Sequence, residues 1–121
     1  MNSKWAIAGL TTLFLFPLGF LLSRAGKPYG TLLFTLHKVL GAGLGAYVIY
    51  LVFRQYQSGG LNPLLWLTAI LTLLTFLAMI ATGGLMSAVD VAPAIAKTVH
   101  KFVPYAAILA AGLTLFLLPE G

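Results

Sequence analysis

The sequence predicts an all-α membrane protein, an up-and-down bundle of four transmembrane helices. Three observations lead there. Of 121 residues, 60% are hydrophobic and 7% are charged, whereas about a quarter of the residues of a soluble domain are charged. The apolar residues fall into four runs, each near the roughly 20 residues a spanning helix requires. Short stretches rich in glycine, proline and charge separate the runs. Four spans with short connections use the whole length, so 1–121 reads as a single domain with no separate soluble part.

The first helix is expected at 5–23. Lys4 ahead of it gives a signal-like start. The apolar run is longer than a signal core, though, and no small-x-small cleavage site follows it, so it reads as a retained helix. Pro17 lies inside it and predicts a kink, with Gly19 just beyond. The connection 24–30 is basic and full of helix breakers. The second helix is expected at 31–53, with Arg54 at its exit. A polar, glycine-bearing loop then covers 55–62, and Pro63 suits the first turn of the next helix. That third helix is expected at 64–87. Its Thr68, Thr72, Thr75 and Thr82 can bond back to their own helix carbonyls, which requires no further role. Asp90 and Pro93 signal the start of a fourth helix running to 118. Trp5, Trp66, Tyr29, Tyr50, Tyr56 and Tyr105 fall mostly near segment ends, where interfacial aromatics belong.

Charge and cysteine usage narrow the function classes. The net charge of +5 comes from seven basic residues scattered at segment ends. There is no basic stripe and no nucleic-acid motif, so the charge is read as setting membrane topology rather than binding nucleic acid. The absence of cysteine excludes disulfides, iron–sulfur clusters and a C-x-x-C-H haem attachment. No carboxylate falls within a span, which argues against a serine–histidine–carboxylate hydrolase.

The second half of the chain echoes the first. Gly19-Phe20-Leu21-Leu22-Ser23 aligns with Gly83-Gly84-Leu85-Met86-Ser87, and T-x-H-K follows in both halves after nearly the same interval. The pattern reads as a duplicated helical hairpin, 5–53 and 63–118, with a one-residue difference in the loop. Two spans return a chain to its starting side, so the halves would be a parallel repeat about an axis along the membrane normal.

The two T-x-H-K stretches hold the only histidines, His37 and His100. An ionisable or metal-ligating side chain at membrane depth is costly and so points to function. In an up-and-down bundle the second and fourth helices are diagonal. With neighbouring axes about 8–10 Å apart, diagonal axes stand roughly 11–14 Å apart, too far for imidazoles to touch but suited to two imidazoles with an iron between them. Haem iron accepts two axial histidines, and bundle cores hold such cofactors. The expected site is therefore one haem b, ligated by His37 and His100. Small residues would make its slot: Gly41 and Gly45 below His37, Pro104 and Ala107 (then Ala111) below His100, and Gly19, Gly83 and Gly84 from the other helices. Pro104 also removes the donor for the carbonyl of His100. Arg24 or Lys27 would pair with a propionate, while Lys38 and Lys101 would reach headgroups. Other readings stand beside this one. The histidines as interfacial polar residues, as ligands of another metal, or as proton relays each fit part of the pattern, and the glycines also fit simple close helix packing. Zinc would want three or four ligands, and only Asp90 lies near the two histidines.

These residues resemble four-helix membrane cytochromes b of the broad cytochrome b561 type. A helix opening with His37-Lys38-Val39-Leu40-Gly41 resembles the family's histidine helices. Ala81-Thr82-Gly83-Gly84-Leu85-Met86-Ser87 resembles the glycine-bearing turn that precedes such a helix in bacterial members. The resemblance spans the chain in topology and about a dozen residues in motif. It implies one b haem near one membrane face, since the ligands for a second haem on the far side are missing. It also implies electron transfer, with membrane quinone or a redox partner protein, alone, as a homo-oligomer or within a larger complex. The alternative is a haem-free accessory subunit of a membrane complex. Arg24, Lys27, Lys38, Lys97 and Lys101 crowd the histidine side, so the positive-inside rule makes that side, with loops 24–30 and 88–93, cytoplasmic and places both termini outside.

Overall fold

The computed structural model describes residues 3–25 and 31–119. Among the described residues there are four helices and no strand: α1 (Ser3–Ala25), α2 (Thr31–Gly59), α3 (Pro63–Ala88) and α4 (Ala94–Leu117). All four are long and apolar enough to cross a bilayer. The shortest has 23 residues, about 35 Å at 1.5 Å per residue, against a hydrocarbon core of about 30 Å. Large apolar side chains point outward on every helix. Leu13, Phe14 and Phe20 on α1, Leu74 on α3, and Leu109 and Phe116 on α4 are each more than 50% exposed. Water would penalise that surface, whereas lipid tails solvate it. The chain is an all-α, integral, multi-pass membrane protein.

Consecutive helices reverse direction. In the first hairpin Gly19, late in α1, lies against His37, early in α2, while Gly41 further along α2 lies over Leu15 further back on α1. The Tyr56 and Trp66 rings meet edge-on at 5.8 Å across the turn from α2 to α3. Thr82 meets His100 and, from the other halves of the same two helices, Thr72 meets Thr114. Each of these pairings is antiparallel, so the connectivity is up-and-down.

The chain divides into two compact units, 1–47 and 48–121, with the division inside α2. In the second unit α3 and α4 pack along a seam of small and hydroxyl-bearing residues. Ala107, Ala110, Ala111, Thr114 and Leu115 on α4 are buried, as are Leu65, Thr68, Ala69 and Thr72 on α3. Helices gain little from hydrophobicity against each other in lipid, so close backbone approach and interhelical hydrogen bonds matter more. The seam supplies both: the Thr72 and Thr114 hydroxyls are 3.1 Å apart.

Five helix boundaries differ by a residue or two from the sequence reading, which is ordinary fraying of a boundary. The end of α2 differs by more. The helix continues six residues past Phe53, through Arg54 and most of the expected 55–62 loop, to Gly59. Arginine and glutamine are good helix formers and the polarity of the stretch does not break a helix. The stop comes at Gly60, whose φ of +73° is a left-handed conformation that glycine adopts without steric cost. Only Gly60–Asn62 then separates α2 from α3. Asn62 caps α3, its side-chain oxygen accepting from the Leu65 N–H at 2.8 Å, and Pro63 takes the first turn as expected. The helices run on through Pro17 and Pro104 without interruption. Among the interfacial aromatics, Tyr105 stands mid-helix in α4 rather than at an end.

Candidate functional site

Each hairpin places its histidine on the seventh residue of its second helix: His37 in a helix that begins at Thr31, and His100 in one that begins at Ala94. Each ring leans on a glycine of the preceding helix. A Cβ built on Gly19 would lie 3.0 Å from His37 Cε1, 3.5 Å from Nδ1 and 3.8 Å from Nε2. On Gly83 the same atom would lie 3.0, 3.6 and 3.9 Å from the corresponding atoms of His100. The two sets agree within 0.1 Å. The two glycines are therefore cradles of one shape, each filled by an imidazole that would have to give by a few tenths of an ångström to admit a methyl group.

The ring partners differ between the hairpins. Thr82, one residue before the cradle glycine, sets its hydroxyl 3.0 Å from His100 Nδ1. That hydroxyl is also 2.7 Å from the Ala78 carbonyl on its own helix. The threonines of α3 do bond back to their helix, as the sequence suggested, but Thr82 and Thr72 each reach a second partner on α4 as well. In the first hairpin the residue before the cradle is Leu18, which has no hydroxyl. There the main-chain carbonyl of Leu15, one turn back from Gly19, faces the His37 ring. Thr82 and Leu15 are the two participants the sequence reading did not assign. A polar residue standing beside Gly83, where the other copy of the repeat has leucine, was the available clue.

The remaining expected site residues take varied positions. Gly41 is half-buried, and a Cβ there would touch Leu15 Cδ1 at an ordinary 3.7 Å. Gly45 is buried. Gly84 is exposed, with open space where a Cβ would go. Pro104 is half-buried four residues past His100, and Ala107 and Ala111 are buried. Arg24 is exposed at the last turn of α1, its guanidinium 5.8 Å from the centre of the Phe20 ring. Lys38 lies over Phe34 at 4.9 Å, and Lys101 over Phe102 at 5.5 Å. Those distances are in cation–π range, a common setting for a charge at an apolar margin. Lys27 lies outside the described residues.

The donor set bears on which group these residues suit. Among the described residues no three His, Cys, Asp or Glu side chains gather as a metal cluster, and Asp90 is exposed. A tetrahedral zinc or an oxygen-ligated ion needs more ligands than that. The two imidazole rings, each set against a glycine of its own hairpin, are the candidate nitrogen ligands. Comparison with family models, with curated proteins and with solved structures finds no match to this chain.

Proposed function

We propose that this protein is a membrane-bound b-type cytochrome in which His37 and His100 are the axial ligands of one haem b. The observation that carries the reading is the pair of glycine–histidine cradles, alike within 0.1 Å in two hairpins of different surrounding sequence. When bound, the haem cycles between ferric and ferrous iron and so passes single electrons. The protein's own part is to hold the two rings, keep the group in an apolar setting and offer basic side chains near the histidine ends of the helices. Arg24 and Lys27 are the proposed propionate partners. A single haem toward one face suits exchange with membrane quinone or with a redox partner on that face. The basic residues around the histidine ends favour the cytoplasm for that face, with both termini outside. The four-helix cytochromes b that the sequence resembles carry out chemistry of this class.

A second reading has one observation in its favour. The buried small residues Ala107, Ala110 and Ala111 on α4 are what close helix packing alone would select, which fits a haem-free accessory subunit of a membrane complex. Absorption spectra of the purified protein, oxidised and then reduced, separate the two. The cytochrome reading expects a b-type band lost in His37→Ala and in His100→Ala. A colourless wild-type protein that stays colourless after haem is supplied overturns it.

A further inference from the structure

We infer that Thr82 is a positioning residue that fixes the proton of His100 on Nδ1. This inference deepens the cytochrome reading and, for the ligand role of His100, rests on it. A threonine hydroxyl has one hydrogen to donate and two lone pairs to accept with. Thr82 Oγ1 lies 2.7 Å from the Ala78 carbonyl, and a carbonyl can only accept. The single hydroxyl proton is therefore committed to its own helix, to the Ala78 carbonyl with that of Met79 at 3.3 Å. The 3.0 Å contact between the same oxygen and His100 Nδ1 must then be donated by the ring. A proton on Nδ1 leaves the lone pair of the neutral imidazole on Nε2.

Nε2 is thereby named as the atom His100 offers to iron. Ligating histidines characteristically donate their other ring N–H to a fixed acceptor, which sets both tautomer and ring orientation. Gly83 limits the ring from below at Cε1, and Thr82 holds it by the adjacent nitrogen. Two neighbouring residues on one turn of α3 thus fix both the position and the protonation of a ring on α4. His37 meets a different kind of acceptor. The Leu15 carbonyl that faces it is an obligate acceptor, so the ring nitrogen turned toward that carbonyl is the protonated one. Only the His100 side depends on a side chain that substitution can delete.

The test uses nitrogen-15 labelled histidine in the full chain, purified in detergent and kept haem-free. Protonated and lone-pair-bearing ring nitrogens resonate far apart, so each tautomer is read directly. The wild type is expected to show His100 with Nδ1 protonated. Thr82→Val keeps the β-branched shape and removes the acceptor, so a substantial share of His100 shifts to the Nε2-protonated form. Thr82→Ser restores the wild-type pattern. The His37 signals stay unchanged throughout and report that the variants are folded; should Thr82→Val not fold, Thr82→Ala serves in its place. On adding haem, Thr82→Val is expected to lose about 10- to 100-fold in affinity and Thr82→Ser to lose little. A His100 tautomer that is unchanged in Thr82→Val, or a Thr82→Ser that behaves like Thr82→Val, overturns the inference. Failure of the wild type to take up haem would sink the cytochrome reading alone, because the tautomer signals still decide the role of Thr82.

Discussion

Replacing Gly83 by alanine separates the stability of α3 from the placement of the His100 ring. The new methyl carbon would stand 3.0 Å from Cε1, where carbon–carbon contacts settle at about 3.5–4.0 Å. The ring must therefore give way by a few tenths of an ångström. That displacement lengthens and weakens the 3.0 Å contact to Thr82, at a cost of up to about 1 kcal/mol. The same substitution gains about 1 kcal/mol of helix propensity, so the net change in folding stability is expected to stay within about 1 kcal/mol of zero. Haem binding has no such offset, and a ligand displaced from its orienting partner is expected to lose about 10- to 100-fold in affinity. Gly84→Ala is the matched control, since nothing lies within 4 Å of the added carbon. Thermal unfolding in detergent and haem titration followed by absorbance read the two effects separately. Gly83→Ala protein that takes up haem as the wild type does, or Gly84→Ala protein that loses haem equally, would refute the reasoning. Gly19→Ala is expected to repeat the Gly83 result through His37.

Other substitutions test the packing and the turn. Thr72→Val and Thr114→Val should each destabilise the α3–α4 pair, and the double-mutant cycle should give a coupling of about 0.6 kcal/mol, the usual size for a hydrogen bond between helices in lipid; a coupling of zero would mean that each hydroxyl serves only its own helix carbonyl. Asn62→Ala removes the acceptor of the 2.8 Å bond to Leu65 N–H and should cost about 1 kcal/mol, read as a lower unfolding midpoint, with Asn62→Asp close to wild type.

Composition and the position of the breakers were enough to show four spans and their up-and-down order. Apolar runs of this length have no other stable form in lipid, where every backbone group must be paired within its own helix. The end of α2 was not legible in the same way. Arg54, Gln55, Tyr56 and Gln57 are polar, and polarity marks where a chain leaves lipid, not where a helix stops. The stop was set by the backbone of Gly60. At the site, Gly19 and Gly83, and His37 and His100, could be aligned in the sequence, and in the structure each of those glycines lies against the histidine of the following helix. The hydrogen bonding of the rings was not readable. Leu15 acts through its carbonyl, which every residue type carries, so no sequence pattern announces it. Thr82 was hidden among four threonines on one helix, all able to bond their own carbonyls.

The overrun of α2 gives the molecule two unlike ends. At 29 residues the helix measures about 43 Å and outreaches a hydrocarbon layer of about 30 Å by roughly two and a half turns. Its polar stretch, Arg54 to Ser58, is at the end away from His37 and is the part expected to stand in water. A reporter attached at Gln57 or Ser58 would stand clear of lipid on the face opposite the rings, and its accessibility in sealed vesicles would tell which way up the whole molecule lies.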